Sequence, residues 1–443
     1  MLAAAMACVG LSLAAFAEEP KLSLAGDWLI HAEAVAPSGA VLKRDFQIQP
    51  VAAVEVRKEL CGKIPDFNPK AWGGWEKGYA LKGLKGQETT VKDALDPASL
   101  KIRSADSKAV YVKGKDYNAE IEWGSVGRIP GGAIAERQAV LIDYSFHPQR
   151  IDSIVISADG RELALKQGAP HICQPLPPAF APGEIAVGCI YFAPGRIDRL
   201  TDANLFPILE RGFPESLAAS AKGSAEKLLP KTMNKLRSGG KLKILAWGDS
   251  VTDASYLQDK ERSRWQSQFV ARLKAKYPSA DIELSTEAWG GHDTASYLAE
   301  PPGSVHNYKE KVLAAKPDLV IMEFINDAWL DQKTVDERYG RFLSDFKEIG
   351  AELIINTPHY SRPDWMQDGS KLQKGIDDDP RPYVKALRVF AAKNGVALSD
   401  VSMRYGRLWR QGIPYLTLLC NNINHPDAQG LSIFADSLMN LFP

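Results

Sequence analysis

Leu242-Lys243-Ile244-Leu245-Ala246-Trp247 runs directly into Gly248-Asp249-Ser250-Val251-Thr252. The apolar run reads as a strand, and the glycine and polar residues after it end that strand in a turn. A serine at the carboxyl tip of a strand, ahead of a helix, is where α/β sheets carry nucleophiles. Gly-Asp-Ser alone is a weak match. Three further blocks follow it in order: Gly290-Gly291-His292-Asp293-Thr294, Phe324-Ile325-Asn326-Asp327 and Asn422-Ile423-Asn424-His425-Pro426.

Outward from that strand, strands and helices alternate from Lys241 onward. Strands are expected at 242–247, 282–288, 318–325, 352–357 and 396–400. Trp265, Phe269 and Leu273 share one helical face. Thr334 and Glu337 read as a capping box for a helix with the stripe Val335, Tyr339, Phe342 and Phe346, stopped by Gly350. Pro382 opens the next helix and Gly395 closes it; Leu431, Phe434, Leu438 and Leu441 line the last. Alternating βα units predict a doubly wound parallel sheet, covered on both faces, with its active edge at the strands' carboxyl ends. All four blocks fall at or just beyond that edge.

Acyl transfer needs a nucleophile, a base and donors for the oxyanion. Ser250 supplies the hydroxyl, which is too weak a nucleophile without a base. His425 is the candidate base, since an imidazole with an intrinsic pKa of about 6.5 shuttles protons near neutrality. Serine, glycine, asparagine and histidine in this order resemble the SGNH (GDSL-type) hydrolase family, over roughly the last 200 residues, an ordinary domain size. The resemblance implies a flavodoxin-like α/β/α fold and an oxyanion hole made of Ser250 N–H, Gly291 N–H and the Asn326 side chain. Gly291 is preferred to Gly290 because Ser296-Tyr297 then fall at a family-like spacing. The chemistry requires no cofactor and no metal, and no Cys/His spacing suggests zinc.

Two positions depart from the family pattern. Phe324 stands where a glycine is usual. Asn422 stands where the pattern Asp-x-x-His has its aspartate, the residue that accepts from the histidine and stabilises the imidazolium. Asn422 can accept through its carbonyl oxygen but carries no charge. The outcomes are a Ser-His dyad with a neutral orienter, rescue by another group such as Asp427, or an inert domain; the dyad is favoured because every other element is intact. Asp249 reads as a loop-ordering residue beside the site. His292, Trp289, His359 and Trp365 are candidate substrate contacts, each with packing as the plain alternative. Trp329 joins them as a possible sugar-stacking ring, and the long polar stretch from His359 to Arg381 reads as a lid or substrate wall.

Upstream, residues 18–200 alternate short apolar runs, such as Ala109-Val110-Tyr111-Val112 and Ser153-Ile154-Val155-Ile156, with turn residues. They are expected to form a β-sandwich or jelly-roll-like accessory domain. Trp72-Gly73-Gly74-Trp75 with Tyr117 and Trp123 reads either as a sugar-binding aromatic surface or as core. Residues 201–240 read as a helical connector, and 241–443 as the hydrolase domain. Residues 1–17 read as a signal peptide: Leu2–Phe16 is apolar and Ala15-Phe16-Ala17 is a cleavage site, although no Lys or Arg precedes the apolar run. That places the protein outside the cell or in the periplasm. Cys61, Cys173, Cys189 and Cys420 then allow two disulfides, with Cys173–Cys189 the expected pair.

Lys plus Arg and Asp plus Glu number 54 each, so the zero net charge argues against nucleic acid or an anionic membrane as the main partner. The expected function is exported O-acyl (O-acetyl) esterase activity on carbohydrate. The alternatives are a lipase or thioesterase for longer acyl chains and a carbohydrate-binding protein with an inactive hydrolase domain. Oligomeric state is left open.

Overall fold

The structure, a computed structural model, describes residues 18–366 and 379–443. The expected signal segment 1–17 and residues 367–378 of the expected lid lie outside the described residues. The chain forms two compact units: Met1–Arg211 with Trp409–Asn422, and Gly212–Leu408 with Ile423–Pro443. The sequence reading ran the hydrolase domain unbroken from 241 to 443. In the structure, Trp409–Asn422 clusters with the first unit, where Leu209 N–H donates to Arg410 O at 2.7 Å and Thr89 donates to Asn421 O at 3.2 Å. The helix Pro230–Ser238 of the expected connector belongs to the second unit and ends on Gly239 at φ 73°. No helix of the described residues is long and apolar enough to cross a membrane.

The second unit holds a five-stranded parallel sheet in the order Asp281–Ala288, Lys241–Gly248, Leu319–Glu323, Glu352–Asn356, Ala397–Ser399. The first strand in sequence lies second in space, so the chain winds both ways from it. Gly248 is in register with Ala288 on one side and Glu323 on the other. Three strands therefore end level, and the loops that follow them emerge at one edge. Gly248 is required there: a Cβ on it would stand 2.4 Å from Glu323 O and 2.1 Å from Thr252 Oγ1.

Trp247 anchors one face. It is fully buried, with ring centroids of Phe324 and Phe342 at 5.0 Å, Tyr308 at 5.3 Å and Tyr297 at 5.4 Å. Phe324, at the usual glycine position, is one wall of this cluster. Bulk there completes the packing around an equally bulky strand residue. On the other face the helix Trp265–Lys276 packs against the helix Ala428–Leu441, with Trp265 stacked on Phe434 at 6.5 Å. The helix Gln332–Glu348 starts earlier than the capping-box reading placed it. Asp331 is its N-cap, accepting from Thr334 N at 2.8 Å, so Thr334 lies inside the first turn.

The first unit is antiparallel and β-rich; besides a smaller cluster of Ile151, Cys189, Tyr191 and Phe206, it has two large cores. Leu29–Val35 and Val41–Gln47 contribute to one with Arg150–Ile156 and Ile185–Phe192. Val54–Cys61, Lys101–Ser104 and Val140–Phe146 contribute to the other. The expected Cys173–Cys189 disulfide is not formed. All four described cysteines are buried free thiols, with Cys173 Sγ donating to Cys420 O at 2.9 Å and Cys189 Sγ beside Ser153 Oγ at 3.6 Å. Cys173 and Cys189 thus each have a polar partner, and buried free thiols of this kind pack as small apolar groups. Of the aromatic candidates, Tyr117 is core, while Trp72 is 81% exposed with its ring edge-on to Trp75 at 5.7 Å.

Candidate active site

Ser250 follows the strand Lys241–Gly248 and opens a short helical turn, Ser250–Asp253, capped by Asp249. His425 lies on the loop before the last helix, 175 residues further on, and its Nε2 is 3.0 Å from Ser250 Oγ. Gly290 reaches the same place: a Cβ on it would stand 3.7 Å from Ser250 Cβ. Gly291 takes φ 76° with open space where a Cβ would project, a conformation natural to glycine. Asn326 Nδ2 donates to His292 O at 3.3 Å. The structure thus brings Ser250, the Gly290–His292 loop, Asn326 and His425 to one edge.

Asp249 holds two of these loops together. It is fully buried and accepts from Val251 N at 3.1 Å and from Asn326 N at 2.9 Å. Fully buried with these bonds, it orders the two loops from within rather than presenting a surface for substrate. Burial pushes its carboxyl up to about 7. Beside it, buried Glu323 accepts from Thr252 Oγ1 at 3.1 Å, and burial, then the Asp249 charge, raise its pKa well above the usual range. Asp327 ties the second block to the third, accepting from Thr294 N at 3.1 Å and from Thr294 Oγ1 and Tyr339 at 2.9 Å. Burial lifts it to about 6. The sequence reading missed Glu323, although an acid closing the apolar run Leu319-Val320-Ile321-Met322 was a visible signal. It also missed Tyr256, whose ring stacks on His425 at 4.4 Å and 6°; nothing in the sequence marked it.

The remaining candidates divide. His292 is partly exposed and donates through Nδ1 to Gly290 O at 2.9 Å, bracing the turn that carries Gly291. Trp289 is engaged by protein rings, stacked on His292 at 3.6 Å and His306 at 4.6 Å and edge-on to Tyr297 at 5.7 Å. It is packing, not a sugar platform. Trp365 and Trp329 remain exposed, at 36% and 76%. His359 is fully buried and donates through Nε2 to Asn424 O at 2.8 Å. It lies behind the histidine loop and cannot meet substrate, because its ring packs among Tyr405 and Phe434. Asn422, the last residue of the first unit's returning segment, has φ 56°, which asparagine tolerates. Its backbone N–H donates to Leu419 O at 3.0 Å, and its Nδ2 is buried without a partner.

A serine hydroxyl against an imidazole, at the carboxyl edge of a doubly wound parallel sheet, defines a serine-hydrolase type of domain. Residues 246–432 match the model of the GDSL-like lipase/acylhydrolase family, so the second unit carries a GDSL-like lipase/acylhydrolase domain. Among solved structures, a two-domain esterase (CEX) active on acetylated mannans is similar at 17% identity and a TM-score of 0.39. That match covers 50% of this chain and 54% of the esterase, so the chain spans about half the length of that protein. An acetyl-xylooligosaccharide esterase from Geobacillus is similar at 19% identity and a TM-score of 0.36, over 45% of this chain and 94% of that one. No curated protein matches the chain.

Proposed function

We propose that this protein is an exported serine esterase that removes O-acyl groups, O-acetyl foremost, from carbohydrate. One observation carries the reading: the 3.0 Å contact between His425 Nε2 and Ser250 Oγ. In this reading His425 takes the Ser250 proton as Oγ bonds to the ester carbonyl carbon, and the carbonyl π pair moves onto oxygen. The oxyanion is met by the N–H groups of Ser250 and Gly291 and by Asn326. The Asn326 amide has two N–H donors; the bond to His292 O uses one and leaves the other. Collapse breaks the bond to the departing sugar oxygen, which receives the proton from His425. Water, deprotonated by His425, then attacks the acyl-serine carbonyl; collapse breaks the bond to Ser250 Oγ, which takes the proton back from His425, and the carboxylic acid is released.

The carbohydrate half of the proposal is supported by exposed indoles. Trp329, three residues after Asn326, and Trp365 lie on the hydrolase unit, and Trp72 on the other. Indoles exposed in this way offer flat apolar faces to sugar rings. The export half rests on the reading of residues 1–17. The test is acetate release, by protein lacking residues 1–17, from p-nitrophenyl acetate and a panel of acetylated polysaccharides. Ser250→Ala is expected to lower release by about four orders of magnitude or more. Release that survives Ser250→Ala removes the serine mechanism. No release by the unmutated chain on any substrate favours the inactive, carbohydrate-binding alternative that Asn422 raises.

A further inference from the structure

We infer that His359 is a positioning residue for catalysis, fixing the loop that carries His425 through its hydrogen bond to the Asn424 carbonyl. This rests on the Ser250–His425 reading above and deepens it.

The family pattern assigns the steadying of the histidine to an aspartate at position 422, and this chain has Asn422. Two backbone clamps hold the loop, both from the segment that follows the strand Glu352–Asn356. Arg362 N–H donates to Ile423 O at 2.7 Å, and His359 Nε2–H donates to Asn424 O at 2.8 Å. A carbonyl can only accept, so the ring proton sits on Nε2. Nδ1 is then an acceptor, and it is buried without a partner. Burial, then the Arg381 charge, holds the imidazole well below its ordinary pKa, so it stays neutral beside His425.

His359 is itself fixed from behind. Arg381 donates to His359 O at 2.9 Å and to Pro358 O at 3.2 Å. Asp379 accepts from Arg381 Nε at 2.9 Å and from Ser402 Oγ at 2.8 Å. A buried relay thus runs from Asp379 through Arg381 and His359 to the residue before His425. An apolar side chain would fill the same space with no orphaned acceptor. A buried polar atom left unsatisfied calls for a reason, and the bond to Asn424 supplies one.

The test compares His359→Gln, which keeps an N–H donor of similar reach, with His359→Leu, which has none, and with Ser250→Ala. The readouts are kcat and KM on p-nitrophenyl acetate and the rate at which a fluorophosphonate labels Ser250. A misplaced base costs about 10- to 100-fold in rate. His359→Leu should lose that much in kcat and in labelling, with KM changed less than about twofold, and His359→Gln should recover most of it. Should His359→Leu not fold, His359→Asn, whose amide is too short to reach, takes its place in the same comparison. The inference is overturned if the donor-less variant keeps full kcat, if Gln falls as far as Leu, or if the whole loss lies in KM. Activity that survives Ser250→Ala would instead sink the serine mechanism on which the inference stands.

Discussion

Phe324→Ala tests whether the departure from the family glycine is structural. Phe324 is 1% exposed, edge-on to Trp247 at 5.0 Å and to Tyr297 at 5.9 Å. Removing a buried phenyl ring costs about 3–5 kcal/mol, and more where the site cannot collapse. Trp247 is held by Tyr308, Phe342 and Phe346 as well, so it cannot move into the void. The expected loss is therefore in the upper half of that range, about 4–5 kcal/mol. Phe324→Gly, which restores the family residue, should lose roughly a further 0.5–1 kcal/mol through backbone entropy. Urea unfolding, followed by tryptophan fluorescence and residual esterase activity, measures both; the midpoint should fall by about 1–3 M. A loss under about 1 kcal/mol would refute the packing argument, and a gain of activity in the glycine variant would mean that Phe324 obstructs the site.

Two further outcomes follow from the geometry. Burial pushes the carboxyl of Asp249 up to about 7 and those of Asp327 and Asp427 up to about 6. A carboxyl raised above its unfolded value of about 3.9 stabilises fully below that value, and the stability is lost as pH rises through the folded pKa. The hydrolase unit should thus lose thermal stability from about pH 4 to about pH 7, and a melting temperature that climbs over that window contradicts the burial of these groups. Trp329→Ala, at an exposed ring, should raise KM on acetylated polysaccharide about 2- to 10-fold, the worth of one stacking contact. It should leave kinetics on p-nitrophenyl acetate unchanged; an equal effect on both substrates would show that the ring does not stack on sugar.

Much of the hydrolase unit was legible because its signals are local. The strand Lys241–Gly248 and the helix stops at Gly350 and Gly395 follow from periodicity and left-handed caps. Ser250 and His425 meet because parallel topology delivers both loops to one edge. What escaped depends on three-dimensional neighbours. His359 looked like a loop residue at the open edge, yet its ring turned inward to a carbonyl 65 residues away. Trp289 looked available until His292 and His306 stacked on it. Asp331 took the cap from Thr334 because Asp and Thr are both good N-cap residues, and the capping-box spacing of Thr334 and Glu337 does not decide where the backbone turns helical. The disulfide failed because proximity in sequence says nothing of where the thiols point.

The return of Trp409–Asn422 to the first unit has a consequence for how the molecule comes into being. Between the serine and the histidine the chain leaves the hydrolase unit and re-enters it at Ile423. Ser250, the proposed nucleophile, is thus synthesised long before His425, its proposed base, which arrives together with the last helix, Ala428–Leu441. On the proposed mechanism, a nascent or prematurely ended chain carries Ser250 without its proton acceptor, and such a chain is expected to show no esterase activity. A cut placed at residue 240 to isolate the hydrolase would strand the buried run Tyr415-Leu416-Thr417-Leu418-Leu419-Cys420 without the unit that covers it. Expression trials should therefore keep the chain whole.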